Sequence, residues 1–312
     1  MSSKFILTIF LLSLLFGCAR SPRSSSNSSV IKPITPDARL LTITDVITPF
    51  FEKMGPPKPM DWLATYRESG QTFKQYVEVS PAPPSPDRRV IYVLPLGKMS
   101  AGNTRVIEIT AGYLQIFYGL DVKLLPAKTL KRPARVSDFR INPVTKAEQI
   151  RTGYLLDEFL PPLAPSDAAV LMAFTNEDLF PDASMSFVFG QANREKRTAV
   201  WSLSRLDDHA SPQGFLRRTI KIAVHETGHL FAIRHCTKYV CVMSGTNHLQ
   251  ETDSHPIDAC PECTAKICWL LRLDPVERYN KLAEYCRRNG LTSESQTFLK
   301  KAQALAAAYE QK

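Results

Sequence analysis

The residues able to do chemistry crowd into one stretch. HETGHLFAIRHC, residues 225–236, holds three of the six histidines in the chain together with a glutamate. His225 and His229 are four apart, so on a helix their imidazoles leave one face about a turn apart and can chelate one ion, with Zn–N of about 2.0–2.1 Å. Glu226 lies beside that face, where a carboxylate can serve as general base toward a water activated by the metal. A catalytic zinc takes three protein ligands and keeps a position open. His235, six residues beyond His229, is out of phase with the pair and joins it only if the chain turns after about residue 231. The competing reading is a helix whose histidines and glutamate are merely solvated.

Six of the seven cysteines follow the third histidine. Cys260-Pro261-Glu262-Cys263 is a C-x-x-C pair, and Cys236 and Cys241 form a second close pair. Four thiolates so spaced can enclose one zinc tetrahedrally, as a closed structural site. Disulfides are the rival reading, since an exported chain permits them; the ligand-like spacing favours metal. Cys268 and Cys286 fit neither site and are left either as buried apolar thiols or as a pair. Met243 taken alone is core filler. His248 and His255 read as surface or supporting groups rather than ligands.

These groups need a scaffold, and the chain supplies one. The 312 residues are enough to bury a large core. Ser211-Pro212 gives an N-cap and a first-turn proline to a helix running to about residue 231. Upstream, the strands 89–96, 121–126 and 168–175 alternate with helices expected over 103–119 and 146–160, which predicts an α/β layer with a largely parallel sheet. Residues 184–192, SMSFVFGQA, alternate as a half-exposed edge strand does, and 198–204 reads as a further strand. Two amphipathic segments around Asn289-Gly290 predict a C-terminal helical hairpin.

The termini and charge set the context. Residues 5–16 form a short apolar run ending at Gly17-Cys18, too short to span a bilayer and similar to the lipobox of bacterial lipoproteins. The expectation is an exported chain anchored by lipid on Cys18, on the periplasmic or cell-surface side. The domain expectation is a signal peptide over 1–17, a Ser/Pro-rich tether over 18–45, a segment packed on the body over 46–86, a main domain bearing the metal-ligand motifs over 87–290 and a terminal helix over 291–312. The excess of 39 basic over 30 acidic residues is scattered in short groups, which argues against a nucleic-acid partner.

The whole pattern, HETGHLFAIRHC, then TKYVC with Met243, then CPEC after a gap of sixteen residues, resembles the archaemetzincin family of zinc metallopeptidases. The likeness extends upstream through GNTR, FYGLDVKLLP and SFVFGQA, covering about residues 70–290. It implies a metzincin-like twisted mixed sheet with an active-site helix and a helical C-terminal part. It also implies two zinc ions. His225, His229 and His235 would hold the catalytic one, with Glu226 as general base. Cys236, Cys241, Cys260 and Cys263 would hold the structural one, and Met243 would lie in the turn beneath the site. Substrates would be peptides, short ones with free amino ends among them, bound along the edge strand.

The chain departs from the family pattern at Ala232, where glycine is expected. Alanine in a left-handed turn costs about 1–2 kcal/mol, small beside the roughly 10–16 kcal/mol of a structural zinc ion. The expectation is therefore that the chain still turns at 232 and delivers His235. If it does not, the alternative function is a zinc-stabilised scaffold lipoprotein with a decayed peptidase site.

Overall fold

The structure is a computed structural model and describes residues 38–208 and 211–311. The leader, Cys18 and the first part of the expected tether lie outside the described residues.

Three short helices come first: α1 (Ala38–Val46), α2 (Trp62–Thr65) and α3 (Phe73–Val79), the last opened by a capping box between Thr72 and Gln75. The sheet begins with β1 (Val90–Leu96), whose residues are almost all buried because helices and loops cover both of its faces. Then follow α4 (Ala101–Tyr118), β2 (Val122–Leu124), β3 (Phe139–Ile141), β4 (Glu148–Arg151), β5 (Ala168–Thr175), β6 (Asp178–Phe180), β7 (Gly190–Asn193) and β8 (Thr198–Ser202). The chain finishes with α5 (Pro212–Leu230), α6 (Leu249–Ser254), α7 (Pro261–Leu271), α8 (Pro275–Arg288) and α9 (Thr292–Glu310).

Five strands form the main sheet in the order β2-β1-β5-β8-β7. The first four run parallel, and β7 joins β8 antiparallel, with Gly190 opposite Trp201 and Asn193 opposite Thr198. The sheet is therefore mixed, with its one antiparallel strand at the edge. A separate three-stranded sheet, β3-β4-β6, sits beside it. One apolar core lies between the main sheet and the helices, built on Phe117, Phe174, Trp201, Ile220 and Met243, and it reaches Leu291 and Phe298 at the C-terminal end.

Three expectations need correction. Residues 38–45 are the start of a helix rather than tether, because Leu40 and Ile43 bury against the body at helical spacing. The helix expected over 146–160 is instead β4 followed by a single turn of π-helix over Tyr154–Phe159. Gln149 decides this. It is fully buried, with its amide donating to Asp178 Oδ2 and the Ser186 carbonyl, bonds that tie the segment sideways into a sheet. The edge strand expected over 184–192 pairs only from Gly190 onward, Val188 making a lone bridge to Leu179.

The helical hairpin forms as expected, and α9 is riveted to the body by one buried ion pair. Lys301 Nζ lies 2.8 Å from Asp258 Oδ2, with both side chains almost wholly enclosed. Asp258 also binds the Ala259 N–H through Oδ1 and the Val242 N–H through its carbonyl, so it joins α9 to the loop carrying the cysteines. Removing one partner of such a pair leaves an uncompensated buried charge. Asp258→Ala is expected to destabilise the fold by about 3–5 kcal/mol, measured by chemical denaturation against the unchanged chain; a loss under about 1 kcal/mol, the scale of an exposed pair, would refute this role.

Candidate metal centre

Helix α5 carries the first half of the site. Ser211 caps it by accepting from the Gly214 N–H, Pro212 opens its first turn, and Leu216, Ile220, Ala223 and Val224 bury one stripe against α4 and the sheet. Tyr118 of α4 donates to the Val224 carbonyl at 2.6 Å, fixing the turn just before His225. At the far end the backbone reverses. The Ile233 N–H bonds the Gly228 carbonyl and the Ala232 N–H bonds the His229 carbonyl, which is a Schellman ending with Ala232 as the left-handed residue. Its φ is +63°. The alanine thus takes the conformation that glycine takes at low cost.

Contacts from the N-terminal segment hold this strained turn. Tyr76 of α3 donates to the Phe231 carbonyl at 2.5 Å, and Gln71 Oε1 accepts from the Arg234 N–H. The chain then brings His235 back over the end of the helix. His225 Nε2 lies 2.9 Å from His229 Nε2 and 3.2 Å from His235 Nε2. Two donors sharing a tetrahedral ion with bonds of about 2.0–2.1 Å would stand roughly 3.3 Å apart.

The outward-facing ring nitrogens show that these close approaches are not ordinary hydrogen bonds. His225 Nδ1 is 2.8 Å from the Val242 carbonyl, and His229 Nδ1 is 2.8 Å from the Ile233 carbonyl. A carbonyl only accepts, so each Nδ1 carries the proton. His235 Nδ1 faces both oxygens of Glu68 at 2.8–2.9 Å, and a carboxylate likewise accepts. All three Nε2 atoms are therefore bare lone pairs aimed at one point. Such a cluster repels itself unless a cation sits there, so the residues present fit a divalent metal ion. Burial first, and then the neighbouring imidazoles, push His225 well below the ordinary histidine range and His229 to about 4, which keeps both rings in the neutral, ligating form. Burial works to raise Glu68, but hydrogen bonds from the His235 and Trp62 rings help to outweigh it and hold the carboxyl below its usual range.

A cleft of about 320 Å³ lies over these nitrogens, bounded by β7 and by the loop after Met243. Glu226 opens into it from beside His225, and burial pushes its pKa up to about 8. Two glycines permit the close fit. A Cβ at Gly190 would come within 3.1 Å of Glu226 Oε1, so the strand can press directly onto the carboxylate. A Cβ at Gly228 would lie 2.5 Å from Met243 Sδ, so only glycine lets that methionine pack beneath the helix. Apolar groups, Met185, Phe187, Phe189 and Ile222, line the end of the cleft next to Glu226.

The next residue after His235 begins the second cluster. Cys236, Cys241, Cys260 and Cys263 bring their sulfurs within 4.8 Å of one another, all buried and none in a disulfide. Cys236 Sγ and Cys260 Sγ are 3.6 Å apart. The N–H groups of Met243 and Cys260 both point at Cys241 Sγ, favouring a thiolate there once a cation is present. The donor set and geometry fit a tetrahedral soft-metal site. Cys268 and Cys286 are free, buried thiols, each pushed up to about 12 by burial.

Two other histidines are occupied elsewhere. His248 Nδ1 caps α6 by accepting from the Glu251 N–H, which leaves Nε2–H to donate to Asp61. The grouping of Asp61, His248 and Glu251 is therefore held by its own hydrogen bonds, Glu251 also accepting from the N–H groups of Trp62 and Asn247. His255 is buried and pushed to about 4 by that burial. Sequence reasoning missed Glu68, Gln71, Tyr76 and Trp62, whose ring meets His235 edge-on at 5.0 Å. All four come from the segment before the sheet, and no spacing signal links a residue there to one more than a hundred and fifty positions later.

Comparison with known proteins identifies relatives of this chain. The family model for Peptidase family M54 matches residues 168–268. The chain is 32% identical over 287 residues to archaemetzincin-2 of Rattus norvegicus, covering 78% of this chain and 79% of that protein. It is 30% identical to the archaemetzincin of Archaeoglobus fulgidus, covering 57% of this chain and 98% of that one. Among solved structures, the archaemetzincin of Methanopyrus kandleri superposes with a TM-score of 0.51 at 26% identity, covering 61% of this chain and 99% of that chain.

The left-handed alanine gives a direct test of the turn. Ala232→Gly relieves the strain but adds freedom to the unfolded chain, so it is expected to stabilise by about 0.5–1 kcal/mol net, read from the midpoint of chemical denaturation. A destabilisation would mean that residue 232 is not left-handed.

Proposed function

This chain belongs to the archaemetzincin family of zinc metallopeptidases, and on that footing we propose how its own residues carry out the hydrolysis. His225, His229 and His235 hold the catalytic zinc through Nε2, while Cys236, Cys241, Cys260 and Cys263 hold a second, structural zinc. The observation that carries this reading is the convergence of three imidazole lone pairs, each ring held in its ligating tautomer by an acceptor behind it.

Zinc bound in the cleft supplies a Lewis acid that polarises the substrate carbonyl and acidifies water. The chain's residues do the rest. The outer edge of β7 offers main-chain hydrogen bonds to an extended peptide. Glu226 takes a proton from the attacking water as the new C–O bond forms. It then gives that proton to the amide nitrogen as the C–N bond breaks. A buried carboxylate suits both halves, since desolvation raises its affinity for the proton it must carry. Phe189 and Ile222 exclude bulk water from one side.

Ala232 is the residue that argues for a non-catalytic scaffold, and its left-handed φ supports the hydrolytic reading instead. Lipidation at Cys18, with location outside the cytoplasm, remains part of the proposal and is supported by the leader sequence alone. Among the described residues, no helix is long and apolar enough to cross a membrane.

Metal analysis with peptide cleavage tests the assignment. Two zinc ions per chain are expected in both wild type and Glu226→Gln, with cleavage lowered about 10²–10⁴-fold in the variant. Full cleavage by Glu226→Gln would sink the role given to that residue, and a single zinc would sink the two-site assignment. Glu68→Gln removes the carboxylate behind His235, so zinc affinity at the histidine site should fall roughly 10–100-fold in chelator competition, with the cysteine-bound ion retained.

A further inference from the structure

Beyond the imidazoles, the cleft continues into a second hollow of about 640 Å³ that shares His229, His235 and Ala192 with the first. Arg67, Arg194 and Arg234 line it, and all three are exposed. Among the described residues none of the three guanidinium groups has an ion-pair partner. The one carboxylate lining the hollow, Glu68, is already engaged by His235. Three cations thus line one hollow, and among the described residues no second carboxylate lines it with them. The opposite end of the cleft is apolar, with Phe187, Phe189 and Ile222.

We propose that this hollow is a subsite for an acidic side chain of the peptide, on the N-terminal side of the bond to be cut. The proposal rests on the hydrolytic reading of the three-histidine site and adds a substrate class to it. Direction follows from β7. That strand runs from Gly190, pressed against Glu226, to Asn193, and Arg194 comes next. Antiparallel pairing is the more stable of the two ways to add a strand to this edge. A peptide so paired runs opposite to β7, with its N-terminal part over the arginines and its C-terminal part over the apolar end. The preferred site is therefore an Asp or Glu shortly before the cut and an apolar residue after it. Guanidinium groups suit a carboxylate through paired N–H···O bonds.

The test uses the zinc-loaded full chain and a library of internally quenched peptides, with cleavage points read by mass spectrometry. Wild type should show Asp or Glu enriched on the N-terminal side of the cut. In the double variant Arg194→Glu/Arg234→Glu, the ratio of kcat/KM for acidic over neutral peptides should fall at least about tenfold, and peptides with Lys at that place should gain. Unchanged zinc content and circular dichroism would show the variant folded, as expected for exposed side chains. Cleavage by wild type without acidic enrichment would overturn the subsite, as would enrichment that survives the charge reversal. Acidic residues found only after the cut would overturn the assigned direction. If wild type cut no peptide, just as Glu226→Gln is expected to cut little, the hydrolytic reading itself would fail and the subsite with it.

Discussion

The site depends on one reversal of the backbone, the left-handed turn at Ala232 that ends α5. Without it the helix would continue and His235 would leave on another face. With it, one short stretch supplies three convergent imidazoles, and the chain is also aimed toward the cysteines. A glycine would make this turn freely; here an alanine does so at a cost of about 1–2 kcal/mol. The Schellman bonds at the helix end bear that cost, together with the Tyr76 hydroxyl on the Phe231 carbonyl and Gln71 on the Arg234 N–H from outside the helix. Zinc, where it binds, adds a term several times larger.

The proposed metal sites are mechanically one unit. His235 belongs to the first and Cys236 to the second, so the two are joined by a single peptide bond. The loop that carries Cys241 also carries Met243, which packs beneath Gly228, and Val242, whose carbonyl fixes the tautomer of His225. An ion in the cysteine cluster would therefore stiffen the floor of the histidine cluster. Asp258 extends the linkage to α9 through Lys301, tying the C-terminal helix to the same loop.

The N-terminal segment is the less obvious partner. It provides Glu68 behind His235, Trp62 against its ring and Arg67 at the margin of the cleft. What the sequence marks as a packed appendage is thus part of the wall and the support of the site. Apolar groups line one part of the cleft and arginines the adjoining hollow, so the two sides of a peptide bound as proposed would meet different chemistry.

The sequence alone determined the candidate ligand types, the helix that bears two of them and the strands around that helix. Each of these follows from short-range rules: the i, i+4 spacing, the Ser211 cap, the buried β-branched runs and the close cysteine pairs. It identified Ala232 as the doubtful position but contained no local preference that would make an alanine turn. That outcome was decided by tertiary structure, through hydrogen bonds from residues far upstream. The same holds for residues 148–151, where apolar spacing suggests a helix and the buried amide of Gln149 makes a strand. It holds also for Glu68, because a carboxylate behind an imidazole is a matter of distance in space and leaves no trace in spacing along the chain.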